Sequence, residues 1–207
     1  MRIRILSRTE VEAGCAEGAD AVISIRGIAD GNEPDLALAI AQATKSESAR
    51  FHRMAFDDIG IAHYRHFVGP TMQQIADAIE FGRQIVDGRY LFDGPSIDPL
   101  IVIHCEHGKS RSAAVALALL ADHLGDGFEV QAVNSLLRAD VENRIHPNPL
   151  IVNLTDACLY RYGRLEDALA EQCPRYVQWR QLWRDIAARP DVYWEKAKHV
   201  LAKRRGA

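Results

Sequence analysis

The sequence predicts an α/β fold: a central, mainly parallel β-sheet of four to five strands flanked by helices on both faces. Three observations carry that expectation. Strand-like and helix-like segments alternate along the chain, which is the pattern of a parallel sheet with crossover helices. The run PLIVIH is continuously apolar up to its histidine and has strand length, as suits a strand buried on both faces. The segment SAAVALALLADHLG that soon follows is a helix with few polar faces, so it too belongs in the centre.

Each element follows from local pattern. IRILSR reads as a short strand, TEVEAGCAEG as a helix opened by Thr9 as N-cap, and AVISIRG as a second strand ending at Gly27. DLALAIAQATKS has helical length and composition, and RFHRMAF alternates into a strand that stops at Asp57 and Asp58. After the loop FDDIGIAHYRHFVGP, Pro70 and Thr71 introduce the helix TMQQIADAIEFGRQIVDG. Met72, Ile75, Ile79 and Val86 share one of its faces, and Gly88 is expected to close it. The connector YLFDGPSIDP is rich in turn residues and leads to PLIVIH and its helix. EVQAVNSLLRADV and LIVNLTDACLYRYG are amphipathic helices joined by the proline-punctuated loop ENRIHPNP. The stretch from Pro174 onward is helix-like, carries all three tryptophans (Trp179, Trp183, Trp194) and ends basic. The tryptophans are expected to anchor the C-terminal helices to the domain. With no repeat, low-complexity tract or linker, residues 1–207 are expected to form one domain, with 171–207 as a C-terminal helical extension.

At 207 residues the chain can bury a sizeable core without help from disulfides or metal. A formal net charge of -3 supplies no attraction for nucleic acid or anionic membranes, which leaves small molecules and proteins as the favoured partners. The start MRIRILSRTEVEAG is too short in apolar residues for a signal-peptide core, and no uncharged run reaches membrane-spanning length. A cytoplasmic location is expected. Cys15, Cys105, Cys158 and Cys173 lie far apart with no CxxC, so neither a zinc site nor a disulfide framework is indicated, and no cofactor is expected. Three of these thiols read as inert packing groups; Cys105 does not.

The stretch IVIHCEHGKSRSAAVALALL places Cys105 between a buried strand and a buried helix. A short polar loop there presents backbone N–H groups at the carboxyl edge of a sheet, where anions bind. Gly108 permits unusual backbone angles and close approach to a ligand. Donor nests and helix N-termini favour a thiolate, and an arginine at the far end, Arg111, can grip two oxygens of a tetrahedral anion. The residues Glu106, His107, Gly108, Lys109, Ser110 and Arg111 thus outline a phosphate cradle with the Cys105 sulfur in its floor.

His-Cys-x-x-Gly-x-x-Arg-Ser, standing as His104 to Ser112, resembles the signature of cysteine-dependent protein tyrosine phosphatases, with the dual-specificity-like, bacterial-type branch most similar. The segment RIHPNPLIVNL resembles an element that follows the signature in that branch. The resemblance implies a two-step phosphomonoester hydrolysis through a cysteinyl-phosphate without metal. Cys105 would attack phosphorus while Arg111 and the loop amides hold the equatorial oxygens. Ser112 would steady the thiolate, and His104 would order the loop from behind. The family's proton donor implies an acid after the strand RMAF, where Asp58 is preferred and Asp57 is the alternative, although the interval to Cys105 is long for a compact member. The implied partners are a phosphorylated protein or small phosphoester, with inorganic phosphate or another oxyanion in the loop.

Other readings stay open. Lys109 invites a phosphoinositide, against which Glu106 stands, and His107 resembles the loop of RNA 5′-triphosphatases, against which the acidic bulk stands. A silent phosphate-binding module and a sulfurtransferase use related loops. His63 and His66 would make metal ligands if their segment were helical. The Asp57–Asp58 pair would also suit a solvated strand end, and one of the other thiols a redox pairing with Cys105.

Overall fold

The computed structural model describes residues 1–30, 36–46, 49–92, 98–140 and 142–196. Four strands, β1 (Arg2–Ser7), β2 (Ala21–Arg26), β3 (Arg50–Ala55) and β6 (Leu100–Cys105), form one sheet in the order β1-β6-β2-β3, all parallel. Every residue of β2 and β6 is buried, as expected for the central pair. Period-two alternation sends Ile23, Ile25, Ile101 and Ile103 to one face and Val22, Val102 and Leu6 to the other. Each such side chain contributes about 1.5–3 kcal/mol when fully buried.

The first face is covered by α3 (Met72–Phe92) and α4 (Arg111–Leu124), with α5 (Glu129–Arg138), α6 (Pro149–Cys158) and α7 (Arg164–Gln172) around them. Residues 111–121 of α4 are all buried. The second face is covered by Val11 of α1 (Arg8–Glu12) and Ile40 of α2 (Leu36–Thr44). The expected α/β class with helices on both faces is what forms. A separate two-stranded ribbon, β4 (His63–Tyr64) and β5 (Phe67–Val68), and the helix α8 (Pro174–Ala188) complete the named elements. Residues 190–196 are helical after α8. No helix among the described residues is long and apolar enough to cross a membrane.

Several local expectations are corrected. Ser7, not Thr9, caps α1: its Oγ accepts from Glu10 N while its own N–H donates to the Glu10 carboxylate. This reciprocal capping box satisfies two otherwise orphaned donors, and the helix it opens ends at Glu12. Gly88 does not close α3, which continues to Phe92. One glycine costs a helix about 1 kcal/mol, less than the burial of Ile75, Ile79 and Ile85 on the same helix provides. Met72, at the first position of α3, is half exposed instead of joining that face. The loop after β3 contains the β4–β5 ribbon, so the helical premise for His63 and His66 as paired metal ligands fails. An additional helix, α7, lies in RLEDALAEQ. The middle of the connector YLFDGPSIDP and the basic end of the chain fall outside the described residues.

Candidate active site

Cys105 is the last residue of β6, opposite Ser7 of β1 at the carboxyl edge of the sheet. The chain then turns through residues 106–110 and enters α4 at Arg111. The turn passes so close to β1 that a Cβ on Gly108 would lie 2.7 Å from Ser7 N and 2.8 Å from Leu6 C, and φ is +66°. Both the space and the left-handed backbone require glycine there. Carbonyls of the loop are engaged from outside: Arg8 N donates to Glu106 O, His146 N to Lys109 O and Asn148 N to Ser110 O. Among the described residues, the N–H groups of residues 106–110 have no backbone acceptor. Unpaired N–H groups in a turn with a left-handed glycine are what an anion-binding nest requires.

Around this nest the polar side chains converge. Cys105 is 2% exposed, and its Sγ stands 3.2 Å from Oγ of the fully buried Ser112. The buried Arg111 guanidinium donates from Nη1 to Phe56 O at 3.1 Å, while its Nε has no hydrogen-bond partner and lies 3.9 Å from Asp58 Oδ2. Asp58 Oδ1 accepts from Ser110 Oγ at 2.7 Å and from Asn148 Nδ2 at 2.9 Å. Asp57 is used differently. Its Oδ2 accepts from Val68 N at 2.9 Å and its Oδ1 from Ile28 N at 3.4 Å, which ties the acidic turn to the β4–β5 ribbon.

Asn148 escaped the sequence-based selection of site residues. It is fully buried, caps α6 by accepting from Leu150 N and Ile151 N, and donates to both Asp58 and Ile59 O. Asn-Pro before an apolar run is a helix-start signal, but nothing in that signal says what the remaining amide protons hold. His104 lies behind the loop, 3% exposed, with neither ring nitrogen hydrogen-bonded. Burial, helped by the charges of Arg26 and Arg8 and opposed by Glu12, pushes its pKa down to about 4, so the ring is neutral near pH 7.

An open cleft of about 420 Å³ faces this cluster. Ile59, Tyr64, Phe67 and Trp183 form its apolar walls, and its charged lining is Asp57, Asp58, Glu106 and Arg111. His107 is exposed and Lys109 half-buried, and neither lines the cleft. A second cavity of about 440 Å³ lies between α1, α2 and His104, away from Cys105. All four cysteines are free, with Cys15 exposed, Cys158 half-buried and Cys173 buried.

No family model and no curated protein matches the sequence. Among solved structures, human DUSP28 superposes with a TM-score of 0.51 at 13% identity, over 77% of this chain and 92% of that chain. The fold is that of the dual-specificity phosphatases. A human tyrosine phosphatase-like serine/threonine/tyrosine-interacting protein also matches, with a TM-score of 0.47 at 17% identity over 78% of this chain and 99% of that one. Within the dual-specificity phosphatase fold, the four-stranded parallel sheet of this chain delivers Cys105 and its loop to the sheet edge.

Proposed function

We propose that the protein is a phosphomonoester hydrolase that acts on aryl phosphates, phosphotyrosine in a protein being the natural form, through a cysteinyl-phosphate. The observation that carries this is the meeting of Asp58 with the Cys105 loop. Residues far apart in sequence are joined by the Ser110 and Asn148 hydrogen bonds to one carboxylate oxygen, while the other faces Arg111. In the first step Cys105 Sγ bonds to phosphorus as the ester P–O bond breaks, and Asp58 gives its proton to the departing oxygen. In the second, water attacks phosphorus, its proton passes to Asp58, and the S–P bond breaks to release phosphate. Ser112 Oγ, 3.2 Å from the sulfur, donates to the thiolate as it departs. The loop amides and Arg111 hold the equatorial oxygens throughout, where the transition-state charge sits.

The cleft supports an aryl group over a polyanionic one. Its walls are Ile59, Tyr64, Phe67 and Trp183, and its three carboxylates outnumber its single arginine, which repels a phosphoinositide headgroup or an RNA end. The test is hydrolysis of p-nitrophenyl phosphate and of a phosphopeptide panel in the presence of EDTA, with vanadate as inhibitor. Cys105→Ser is expected to abolish turnover. A fully active serine variant, or phosphopeptide binding by the wild type with no turnover, would overturn the proposal.

A further inference from the structure

The turn that carries Asp58 is covered on its outer side by the C-terminal helical segment. A Cβ on Gly60 would lie 2.3 Å from Trp183 Cγ and 2.5 Å from its Cδ1, so the indole of α8 rests directly on the backbone two residues after Asp58. Trp183 is 7% exposed and clusters with Ile59 and Ile186, and Ile61, Tyr64 and Phe67 pack against that cluster. Its Nε1 has no hydrogen-bond partner, so packing alone holds the ring. The neighbouring ribbon is gripped by the same segment. Tyr64 meets Trp183 and Trp194 edge to face at 6.2 and 5.9 Å, its hydroxyl donates to Pro190 O at 3.3 Å, and Arg65 pairs with Asp191.

From the loop side, Asp58 is held at one oxygen by Ser110 and Asn148. From the outer side, the position of its backbone is set by what presses on Ile59 and Gly60. We propose that Trp183 is a positioning residue for Asp58, and that the C-terminal helical segment is thereby a working part of the active site. This rests on Asp58 being the proton donor. Removing the indole leaves a void into which the turn can relax, and a displacement of about 1 Å at a reacting group can cost on the order of 100-fold in rate.

The selectivity of the loss for poor leaving groups tests this, because those need the proton most. Turnover numbers are measured for p-nitrophenyl phosphate, whose leaving group departs readily, and for phenyl phosphate, whose leaving group does not. Asp58→Asn serves as the reference. For Trp183→Ala, kcat on phenyl phosphate is expected to fall about tenfold or more beyond the fall on p-nitrophenyl phosphate, and Trp183→Phe should restore most of the difference. Gly60→Ala, which pushes the indole off from the other side, should show the same selectivity. If Trp183→Ala does not fold, Gly60→Ala decides by the same criterion. Equal losses on both substrates in these variants, with Asp58→Asn still selective, would refute the positioning role and leave the proposed function standing. An unselective Asp58→Asn would refute the acid assignment, and the role of Trp183 with it.

Discussion

His104 is a buried base that must stay neutral, and this makes the stability of the protein depend on acid. The ring is 3% exposed, has no hydrogen-bond partner and faces the positive charges of Arg26 and Arg8, with Glu12 as a weaker opposing charge. Its pKa falls to about 4 from the ordinary histidine value of 6.5. Below pH ~6.5 the unfolded chain therefore takes up a proton that the native state refuses until about pH 4. Stability contributed by the neutral ring is fully present above that window and is lost as pH falls through it, by up to about 3 kcal/mol at about 1.4 kcal/mol per pH unit. His52 and His123 are also lowered by burial, so the wild-type slope alone is a composite. Comparison with His104→Gln isolates the one ring: whatever packing the glutamine loses is the same at every pH. In urea unfolding followed by far-UV circular dichroism, the stability gap between the two proteins should shift by about 2 kcal/mol in favour of the variant between pH 7 and pH 5. A gap that stays constant across those pH values would show that His104 is not held neutral, and that reasoning from its burial and the two arginines is wrong.

Other perturbations follow from the same contacts. Gly108→Ala adds a Cβ against the Leu6–Ser7 backbone at φ +66°, and should cost about 2 kcal/mol or more in a thermal melt while weakening vanadate inhibition. Asn148→Ala removes the cap of α6 and leaves the Ile59 carbonyl without its donor. The expected loss is about 2 kcal/mol or more, together with a larger drop in turnover on phenyl phosphate than on p-nitrophenyl phosphate. Arg111→Lys keeps the charge but loses the planar fork that bonds Phe56 O and can still grip an anion. Its kcat on p-nitrophenyl phosphate should fall by about 100-fold or more, and wild-type turnover would contradict the anion-holding role.

Much of this protein is readable one neighbourhood at a time. The continuous apolar run of β6, the alternation in β3 and the sparse polarity of α4 are short-range patterns, and they led to the α/β sheet with helices on both faces. The loop from Cys105 to Ser112 is equally local, because thiol, glycine and arginine lie within one turn between strand and helix. Where two local signals competed, one had to lose: the capping box at Ser7 and Glu10 overrode Thr9, and packing along α3 overrode Gly88. The division of labour between Asp57 and Asp58 was not local at all. Both are acids at the end of the same strand, and only their distant partners, Val68 and Ile28 for one and Ser110 and Asn148 for the other, tell them apart. The same holds for Trp183, which in sequence is one apolar residue on a helix but in space is the cover over Gly60 and a wall of the cleft. By itself the sequence determined the sheet, the thiol and the turn that follows it, since backbone periodicity and turn chemistry are properties of adjacent residues. Tertiary structure alone decided that Asp58 and not Asp57 is bonded to the loop after the thiol, and what presses on its turn, because those contacts join segments that only the closed fold brings together.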